Sequence, residues 1–282
     1  MTAFHQYCQQ KAAQSGSSFY YSFLFLPLEK RQAIMALYAF CREVDDIVDE
    51  CHDKVVASQK LGWWHAEINR VFQGTPEHPV GLALQWARNQ FSLPKNLFEE
   101  ILQGMQMDLS YQGYQSFDDL RLYCQCVASA PGLLAAQIFG FQDPNTQEYA
   151  KNLGISFQLV NIIRDVGEDA SRGRIYFPEE ELAQFSLTPQ DILAKKYSDN
   201  FKELMRFQTE RARRYYQTAL QALPSIDRKN QKSGIIMAEI YFSLLREIEK
   251  TEFKVLHQRI ALTPIRKLYI AWKTARRLKR EP

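Results

Sequence analysis

Residues 30–53 contain neither Gly nor Pro and repeat apolar side chains every three to four positions, the periodicity of an α-helix. The apolar positions are Ile34, Leu37, Tyr38, Cys41, Val44 and Val48. A helix with this pattern must bury its apolar face against other elements of the chain. The stretch therefore predicts a long amphipathic helix inside a larger helical assembly.

The same periodicity recurs along the rest of the chain. Further helices are predicted over 4–14, 58–73, 79–91, 95–107, 117–127, 132–140, 145–168, 189–195, 198–222, 233–253 and 264–280. Ser116, Asp143 and Thr188 are predicted N-caps. With 12 Gly and 11 Pro in 282 residues, the chain has too few turn residues for an all-β sandwich. No linker or repeat divides it, so we predict one all-α domain over 1–282 with a basic tail at about 273–282.

Charge is distributed unevenly along the chain. The formal net charge is +3, but residues 264–282 hold seven Lys or Arg and one Glu, so the remainder is mildly acidic. Nucleic-acid binding is not expected, because a binder would carry a broad basic patch. The basic end permits peripheral contact with an anionic membrane, and a solvated tail is the alternative. The preceding apolar stripe is predicted to dock onto the bundle; it comprises Ile265, Leu268, Tyr269 and Trp272.

The sequence favours a cytoplasmic location and is compatible with peripheral association with an inner membrane. The five Cys are odd in number and form no CxxC pair, which is typical of a reducing compartment. Residues 1–11 lack the apolar core of a signal peptide. Residues 122–142 are uncharged and long enough to span a membrane, but their glutamines and Pro131-Gly132 favour a helix buried in the bundle.

The long helix over 30–53 carries the first chemical motif. Tyr38, Arg42, Asp45 and Asp49 are separated by four, three and four positions and therefore share one helix face. Two carboxylates placed so close repel each other unless solvent or a cation separates them. A solvent-exposed acidic stretch is the alternative, although Val44, Ile47 and Val48 flank the acids.

A second motif lies on the helix predicted over 145–168. Its polar face is formed by Gln158, Asn161, Asp165 and Asp169. The flanking positions are apolar, and polar side chains in such surroundings are costly unless they meet partners. The alternative to a binding site is a buried polar network.

Together the two motifs predict a site for metal ions and a diphosphate. Two helices that each carry an i, i+4 carboxylate pair can face one another as an acidic cage, and all-oxygen ligands suit Mg²⁺ held partly by substrate phosphates. Arg42, Arg164 and Arg174 are candidates to neutralise the remaining phosphate charge. A metal-bound diphosphate beside an apolar interior suggests ionisation to a carbocation, which aromatic faces stabilise. Candidate aromatics are Phe19, Tyr20, Tyr21, Phe23, Phe25, Tyr38, Phe40 and Tyr123.

At these motifs the chain resembles the squalene/phytoene synthase family. The resemblance runs from about residue 5 to about residue 272 and rests on 17–23, 38–49, 104–109, Tyr123-Cys124, 161–169 and 173–178. Within the family, the N-terminal segment and residues 262–272 are most similar to bacterial presqualene diphosphate synthases of squalene and hopanoid biosynthesis. The resemblance implies an all-α isoprenoid-synthase bundle with a central apolar cavity.

The resemblance also implies roles for individual residues. Asp45 with Asp49, and Asp165 with Asp169, would be the catalytic metal-binding pairs, with Asn161 as a further ligand. Two or three Mg²⁺ ions would bridge the substrate diphosphates, and NADPH is not expected. Arg42 and Tyr123 complete the implied catalytic set, Tyr123 lying near the reacting carbons. The implied substrate-binding residues are Ser18, Phe19, Tyr38, Arg42, Gln158, Asn161, Arg164, Arg174, Tyr241 and Arg259.

The reaction implied is the head-to-head condensation of two farnesyl diphosphates to presqualene diphosphate and diphosphate. Downstream enzymes of the squalene pathway would be its partners. Other head-to-head products remain alternatives, namely squalene, dehydrosqualene, hydroxysqualene and phytoene. A chain-elongating prenyl synthase fits less well, because its second motif would be another DDxxD. A non-catalytic assembly factor is disfavoured, because all four aspartates are present.

Overall fold

The computed structural model describes residues 2–14, 22–23, 26–51 and 53–280, and the regular structure within these ranges is helical. The helices are α1 (Ala3–Gln14), α2 (Leu28–Glu50), α3 (Lys54–Gln73), α4 (Pro79–Phe91), α5 (Lys95–Leu109), α6 (Phe117–Cys124), α7 (Ala130–Phe139), α8 (Asn145–Ser171), α9 (Glu179–Gln184), α10 (Pro189–Leu193), α11 (Asp199–Ala222), α12 (Lys232–Lys250) and α13 (Pro264–Leu278). A π-turn, Gln125–Ser129, joins α6 to α7, and 3₁₀ turns lie at Ser225–Asp227 and Lys254–Leu256. The all-α prediction is confirmed.

Capping side chains set several helix boundaries. Helix α2 was predicted to continue to residue 53 but ends at Glu50. The carboxylate of Asp53 instead caps α3, accepting hydrogen bonds from the backbone N–H groups of Val55 and Val56 at 2.8 and 3.2 Å. Ser116 and Thr188 form the capping boxes of α6 and α10, which confirms two of the three predicted caps. The third was wrong: the N-cap of α8 is Pro144, and the Asp143 carboxylate accepts a hydrogen bond from the backbone N–H of Asn145 at 2.9 Å.

The uncharged stretch around residues 122–142 is a continuous helix rather than the two helices predicted. Pro131 does not interrupt it, because the π-turn rearranges the backbone hydrogen bonds immediately before the proline. Within the described ranges, Phe117–Phe139 is the one helix long and apolar enough to cross a membrane, and half of its most apolar window is buried. Buried side chains such as Leu120 and Leu134 place it in the core of the bundle.

Helix α8 passes through the centre of the molecule in backbone contact with two neighbours. A Cβ atom on Gly154 would lie 2.6 Å from the carbonyl oxygen of Ala128 in the π-turn. One on Gly167 would lie 2.3 Å from the carbonyl oxygen of Leu256. Only glycine, which has no Cβ atom, allows such close approaches. They fix the rotation of α8 about its axis and therefore the direction in which its polar face points.

Two large apolar clusters meet around one cavity. The first is built from α1–α5 and α7, and the second from α6 and α8–α13. Helix α2 belongs to the first cluster and α8 to the second. The polar faces of these two helices therefore look into the space between the clusters.

Helix α13 contradicts the predicted docking of its apolar stripe. Ile265 is 81% exposed and Trp272 is 51% exposed. The face that packs on the bundle is formed by Ala271, Thr274, Ala275 and Leu278, three of which have small side chains. Small side chains allow a close approach between helices, so the larger apolar residues remain on the outer face.

Candidate active site

A cavity of about 750 Å³ lies between α2 and α8. The candidate catalytic, metal-binding and substrate-binding residues of the described ranges line it: Tyr38, Arg42, Asp45, Asp49, Tyr123, Gln158, Asn161, Arg164, Asp165, Asp169, Arg174, Tyr241 and Arg259. Phe23, a candidate aromatic, lines a second cavity instead. Ser18 and Phe19 lie outside the described residues, as do Tyr20, Tyr21 and Phe25. Phe40 was a candidate for stabilising a cation, but it is buried in the core between Trp64 and Phe98, at 5.5 and 5.6 Å between ring centroids.

The first aspartate pair occupies the predicted face of α2. Asp45 and Asp49 line the cavity, whereas Asp46 points to α1 and forms an ion pair with Lys11 at 2.9 Å. Arg42 donates to Asp45 across 2.6 Å and also pairs with Asp46. Burial raises the pKa of Asp45 to about 6, with Asp49 adding repulsion and Arg42 opposing the shift.

The second pair lies opposite on α8. Asp165 accepts hydrogen bonds from Nε of Arg164 at 2.7 Å and from Nε of Arg259 at 3.1 Å. Asp169 forms no ion pair with any residue in the described ranges. Its burial, followed by repulsion from Asp165, raises its pKa to about 7.

Two arginines in the segment after α8 bring the pairs together. Arg172 and Arg174 reach Oδ1 of Asp49 at 3.2 and 3.4 Å, and Arg174 also donates to the carbonyl oxygen of Val48 at 3.4 Å. The backbone N–H of Arg174 donates to the carbonyl oxygen of Asp169 at 2.9 Å. These hydrogen bonds and ion pairs connect the C-terminal end of the second motif to the first motif.

Asp108 is a buried carboxylate in this cavity that the sequence reasoning did not single out. Its two oxygens accept hydrogen bonds from the hydroxyl groups of Tyr123 at 2.8 Å and Tyr176 at 2.9 Å. Burial raises the pKa of Asp108, and burial together with the Asp108 charge raises the pKa of both phenols. The available signal was an acidic residue on the apolar side of α5, within a motif that already supported the family resemblance.

Asn161, which lines the same cavity, carries an unsatisfied polar atom. Its Nδ2 donates to Oε1 of Gln158 at 3.3 Å, whereas its buried Oδ1 has no hydrogen-bond partner. An unsatisfied buried carbonyl oxygen is costly, and a cation or a bound donor would satisfy it. This atom, together with the unpaired Asp169, fits an oxygen-seeking cation.

The carboxylates by themselves do not form the predicted acidic cage. In the described ranges no three His, Cys, Asp or Glu side chains gather closely enough to hold one metal ion. Guanidinium groups pair with Asp45, Asp49 and Asp165 instead. The donor set still suits Mg²⁺, which takes one or two protein carboxylates and completes its octahedron with water and phosphate oxygens.

A second, apolar cavity of about 230 Å³ opens from the polar one. Tyr38, Val127 and Asn161 line both cavities. The apolar cavity extends between α7 and α8 toward the buried ring of Tyr149, which lies beside Gly234. The uncharged stretch lines it with Val127, Ala128, Pro131, Gly132, Ala135, Ala136 and Phe139.

Comparisons with known proteins find relatives that cover most of the chain. The chain is 37% identical over 268 residues to a phytoene synthase of Arthrospira platensis, covering 90% of this chain and 87% of that protein. A dehydrosqualene synthase structure, solved with a ligand, superposes with a TM-score of 0.90 at 27% identity, covering 98% of this chain and 96% of that one. The squalene synthase HpnC of Alicyclobacillus acidocaldarius superposes with a TM-score of 0.78 at 27% identity, covering 89% and 94%.

The family model described as squalene/phytoene synthase matches residues 12–266, which include both aspartate pairs and the helices that form the cavity. The chain belongs to the squalene/phytoene synthase family.

Proposed function

We propose that this chain is a Mg²⁺-dependent prenyltransferase that joins two farnesyl diphosphates head to head, giving presqualene diphosphate and diphosphate for squalene and hopanoid biosynthesis. The observation that carries the proposal is the junction of two cavities: one is lined by two aspartate pairs and several arginines, and the other by apolar side chains. A prenyl diphosphate has the same two parts, a polyanionic head and an apolar tail.

The polar cavity holds enough positive charge to bind diphosphate groups. Arg42, Arg164, Arg172, Arg174, Arg259 and Lys267 line it. The five arginines are positioned by their ion pairs with the aspartates, and arginine forms bidentate contacts with phosphate oxygens. When a diphosphate enters the cavity, the arginines would replace their carboxylate partners with its phosphate oxygens.

Five residues are proposed to hold the metal ions: Asp45, Asp49, Asn161, Asp165 and Asp169. When bound, Mg²⁺ would neutralise charge on the diphosphate and so make it a better leaving group. The shifted pKa values of Asp45 and Asp169 fit this role, because a cation restores the ionised form that burial disfavours.

The chain's own side chains would shape the carbon chemistry. The C1–O bond of one farnesyl diphosphate breaks, and its electron pair leaves with the diphosphate. The double bond nearest the diphosphate of the second substrate attacks C1, and loss of a proton closes the cyclopropane. The stacked rings of Tyr123 and Tyr176, 5.4 Å between centroids, offer aromatic faces to the cationic carbons, while the apolar cavity excludes water.

Condensation of two geranylgeranyl diphosphates to phytoene is the second candidate. Its support is that a relative covering 90% of this chain is named a phytoene synthase. Both reactions begin with the same ionisation. They differ in the length of the tail that the apolar cavity must accept, and phytoene formation also releases the second diphosphate and a further proton.

Mass spectrometry of the product tests the proposal. Purified protein is incubated with Mg²⁺ and either farnesyl or geranylgeranyl diphosphate, each with and without NADPH. We expect presqualene diphosphate from farnesyl diphosphate, with diphosphate release that does not depend on NADPH.

Three results would contradict the proposal at different levels. Phytoene formed only from geranylgeranyl diphosphate would replace the proposed substrate. Condensation only with added isopentenyl diphosphate would exclude head-to-head chemistry. No diphosphate release from any prenyl diphosphate would support a non-catalytic role.

A further inference from the structure

The outer face of α13 exposes four large apolar side chains, which we call the apolar face: Ile265, Leu268, Tyr269 and Trp272. Their exposed fractions are 81%, 43%, 57% and 51% in that order. Their spacing places them on one side of the helix, opposite the residues that pack on the bundle. A contiguous exposed apolar patch of this kind marks an interaction surface.

Positive charge borders this face. Lys273 lies one turn beyond Tyr269, and Arg276 lies one turn beyond Trp272, with its guanidinium 5.4 Å from the centre of that indole ring. Residues 264–280 contain no acidic residue. Lys279 and Arg280 extend the positive charge by one further turn, and none of these four cations forms an ion pair with an acid in the described ranges.

Two other arginines of α13 hold the helix in place on the bundle. Arg266 pairs with Glu247 at 2.7 Å, and Arg277 pairs with Glu239 at 2.9 Å. Both glutamates belong to α12, so these pairs anchor the inner side of α13. The outward orientation of the apolar face is therefore supported by contacts on the opposite side of the helix.

Helix α13 also begins at the edge of the polar cavity. Lys267 lines that cavity, together with the segment 260–262 that leads into the helix. The helix that carries the apolar face therefore starts beside the candidate active site, although the apolar face itself does not line the cavity.

We propose that α13 docks this protein on an anionic lipid bilayer, with its apolar face seated among the headgroups and acyl-chain ends. Tyr and Trp are enriched at membrane–water interfaces, and an amphipathic helix with basic flanks binds anionic lipid. A second copy of the chain is a poorer occupant, because pairing two such faces would bring the unpaired cations of both copies together. The proposal is independent of which prenyl diphosphates the enzyme uses.

Vesicle co-sedimentation tests the proposal with the full chain. The protein is mixed with vesicles of phosphatidylcholine alone or vesicles containing phosphatidylglycerol. We expect binding to the phosphatidylglycerol vesicles that weakens as salt is raised. The triple variant Ile265→Ser/Tyr269→Ser/Trp272→Ser should lower the partition coefficient at least about tenfold, equivalent to about 1.4 kcal/mol.

A matched control removes equally exposed apolar groups elsewhere. Leu28, Val55 and Ile226 are 63%, 67% and 57% exposed, and none lies on α13. The variant Leu28→Ser/Val55→Ser/Ile226→Ser should bind vesicles like the unaltered protein. Circular dichroism and Tm of both triple variants verify that each is folded.

Charge and self-association are tested in the same material. Lys273→Gln/Arg276→Gln/Lys279→Gln/Arg280→Gln should remove the preference for phosphatidylglycerol, and an unchanged preference would overturn the electrostatic part of the proposal. Equal vesicle binding by the α13 triple variant and the unaltered protein would overturn the docking surface. Sedimentation velocity would assign the face to a second copy instead if the unaltered protein and the control variant were dimers and the α13 triple variant were a monomer.

Discussion

The hydroxyl group of Tyr123 donates a hydrogen bond to Oδ2 of Asp108 across 2.8 Å, inside the wall of the polar cavity. Tyr176 donates to the other oxygen of the same carboxylate. The carboxylate therefore orients two aromatic rings that face the cavity. Hydrogen bonds to charged groups contribute about 1.5–3 kcal/mol each, so this pairing is a strong constraint on ring position.

Asp108→Asn should lower turnover by roughly 10- to 100-fold, because a neutral amide accepts more weakly and its NH₂ group cannot accept from a tyrosine. Diphosphate release under saturating substrate measures this. Asp118→Asn makes the same chemical change at an exposed position on α6 and should be near neutral. Equal rates for the two variants would show that ring orientation by Asp108 is unimportant for turnover.

Asp165→Asn should weaken activation by Mg²⁺ about 10- to 100-fold or more, because it removes one proposed ligand charge. The measurement is diphosphate release as a function of Mg²⁺ concentration. Glu148→Gln is the control, since Glu148 lies on the same helix, outside the cavity, with its side chain 56% exposed. A normal Mg²⁺ dependence for Asp165→Asn would remove this residue from the proposed metal site.

Without metal, the protein should lose stability as pH rises from about 4 to about 7. Burial raises the pKa of Asp45 to about 6 and of Asp169 to about 7, above the ordinary value of 3.8. A raised pKa means that the folded state holds the proton more tightly than the unfolded state. The stabilising contribution is thus complete below pH 3.8 and is lost progressively up to about pH 6 for Asp45 and about pH 7 for Asp169.

Thermal unfolding in EDTA at several pH values measures this dependence. Asp169→Asn should flatten the profile and raise Tm at the alkaline end, because no charge is then buried there. Added Mg²⁺ should restore stability at the alkaline end in the unaltered protein, since the ion favours the charged carboxylates. A metal-free Tm that rises with pH would contradict the expected direction.

Gly167→Ala should destabilise the protein by about 1–3 kcal/mol or more, because the added Cβ would lie 2.3 Å from a backbone carbonyl oxygen. Gly62→Ala is the matched control within helix α3, where nothing lies within 4 Å of the added atom. That change should stabilise by about 0.5–1 kcal/mol through helix propensity. Chemical denaturation of both variants makes the comparison, and equal effects would contradict the close helix contact.

Tyr149→Phe should leave stability unchanged or raise it by about 1–2 kcal/mol, because the buried hydroxyl group has no hydrogen-bond partner. Tyr111→Phe is the contrasting control, since that hydroxyl group accepts from the backbone N–H of Ile175 at 2.8 Å and also donates to the carbonyl oxygen of Ile175. It should cost about 1–3 kcal/mol. A comparable loss in Tyr149→Phe would reveal a bound partner at the end of the apolar cavity.

Local periodicity was sufficient to predict the longer helices and the composition of the two motif faces, but it missed the six-residue helix α9. Asp45 and Asp49 share a face because i and i+4 positions always do so on a helix, and the structure places both in the cavity while Asp46 faces α1. The positions of helix ends were predicted less accurately where the cap of a neighbouring helix sets the boundary. The end of α2 depends on Asp53, and the continuity of α6 and α7 depends on a π-turn that periodicity does not encode.

The sequence by itself determined that the chain is helical, that two carboxylate pairs project from apolar helices, and that a basic end follows an apolar stripe, because these are properties of residues within a few turns of each other. Only the tertiary structure decided that Asp108 joins the site, that arginines pair with most of the aspartates, and that the apolar face of α13 points outward. These outcomes depend on how closely helices approach, and the small side chains that govern the approach, such as Gly167 and Ala271, lie far apart in the sequence.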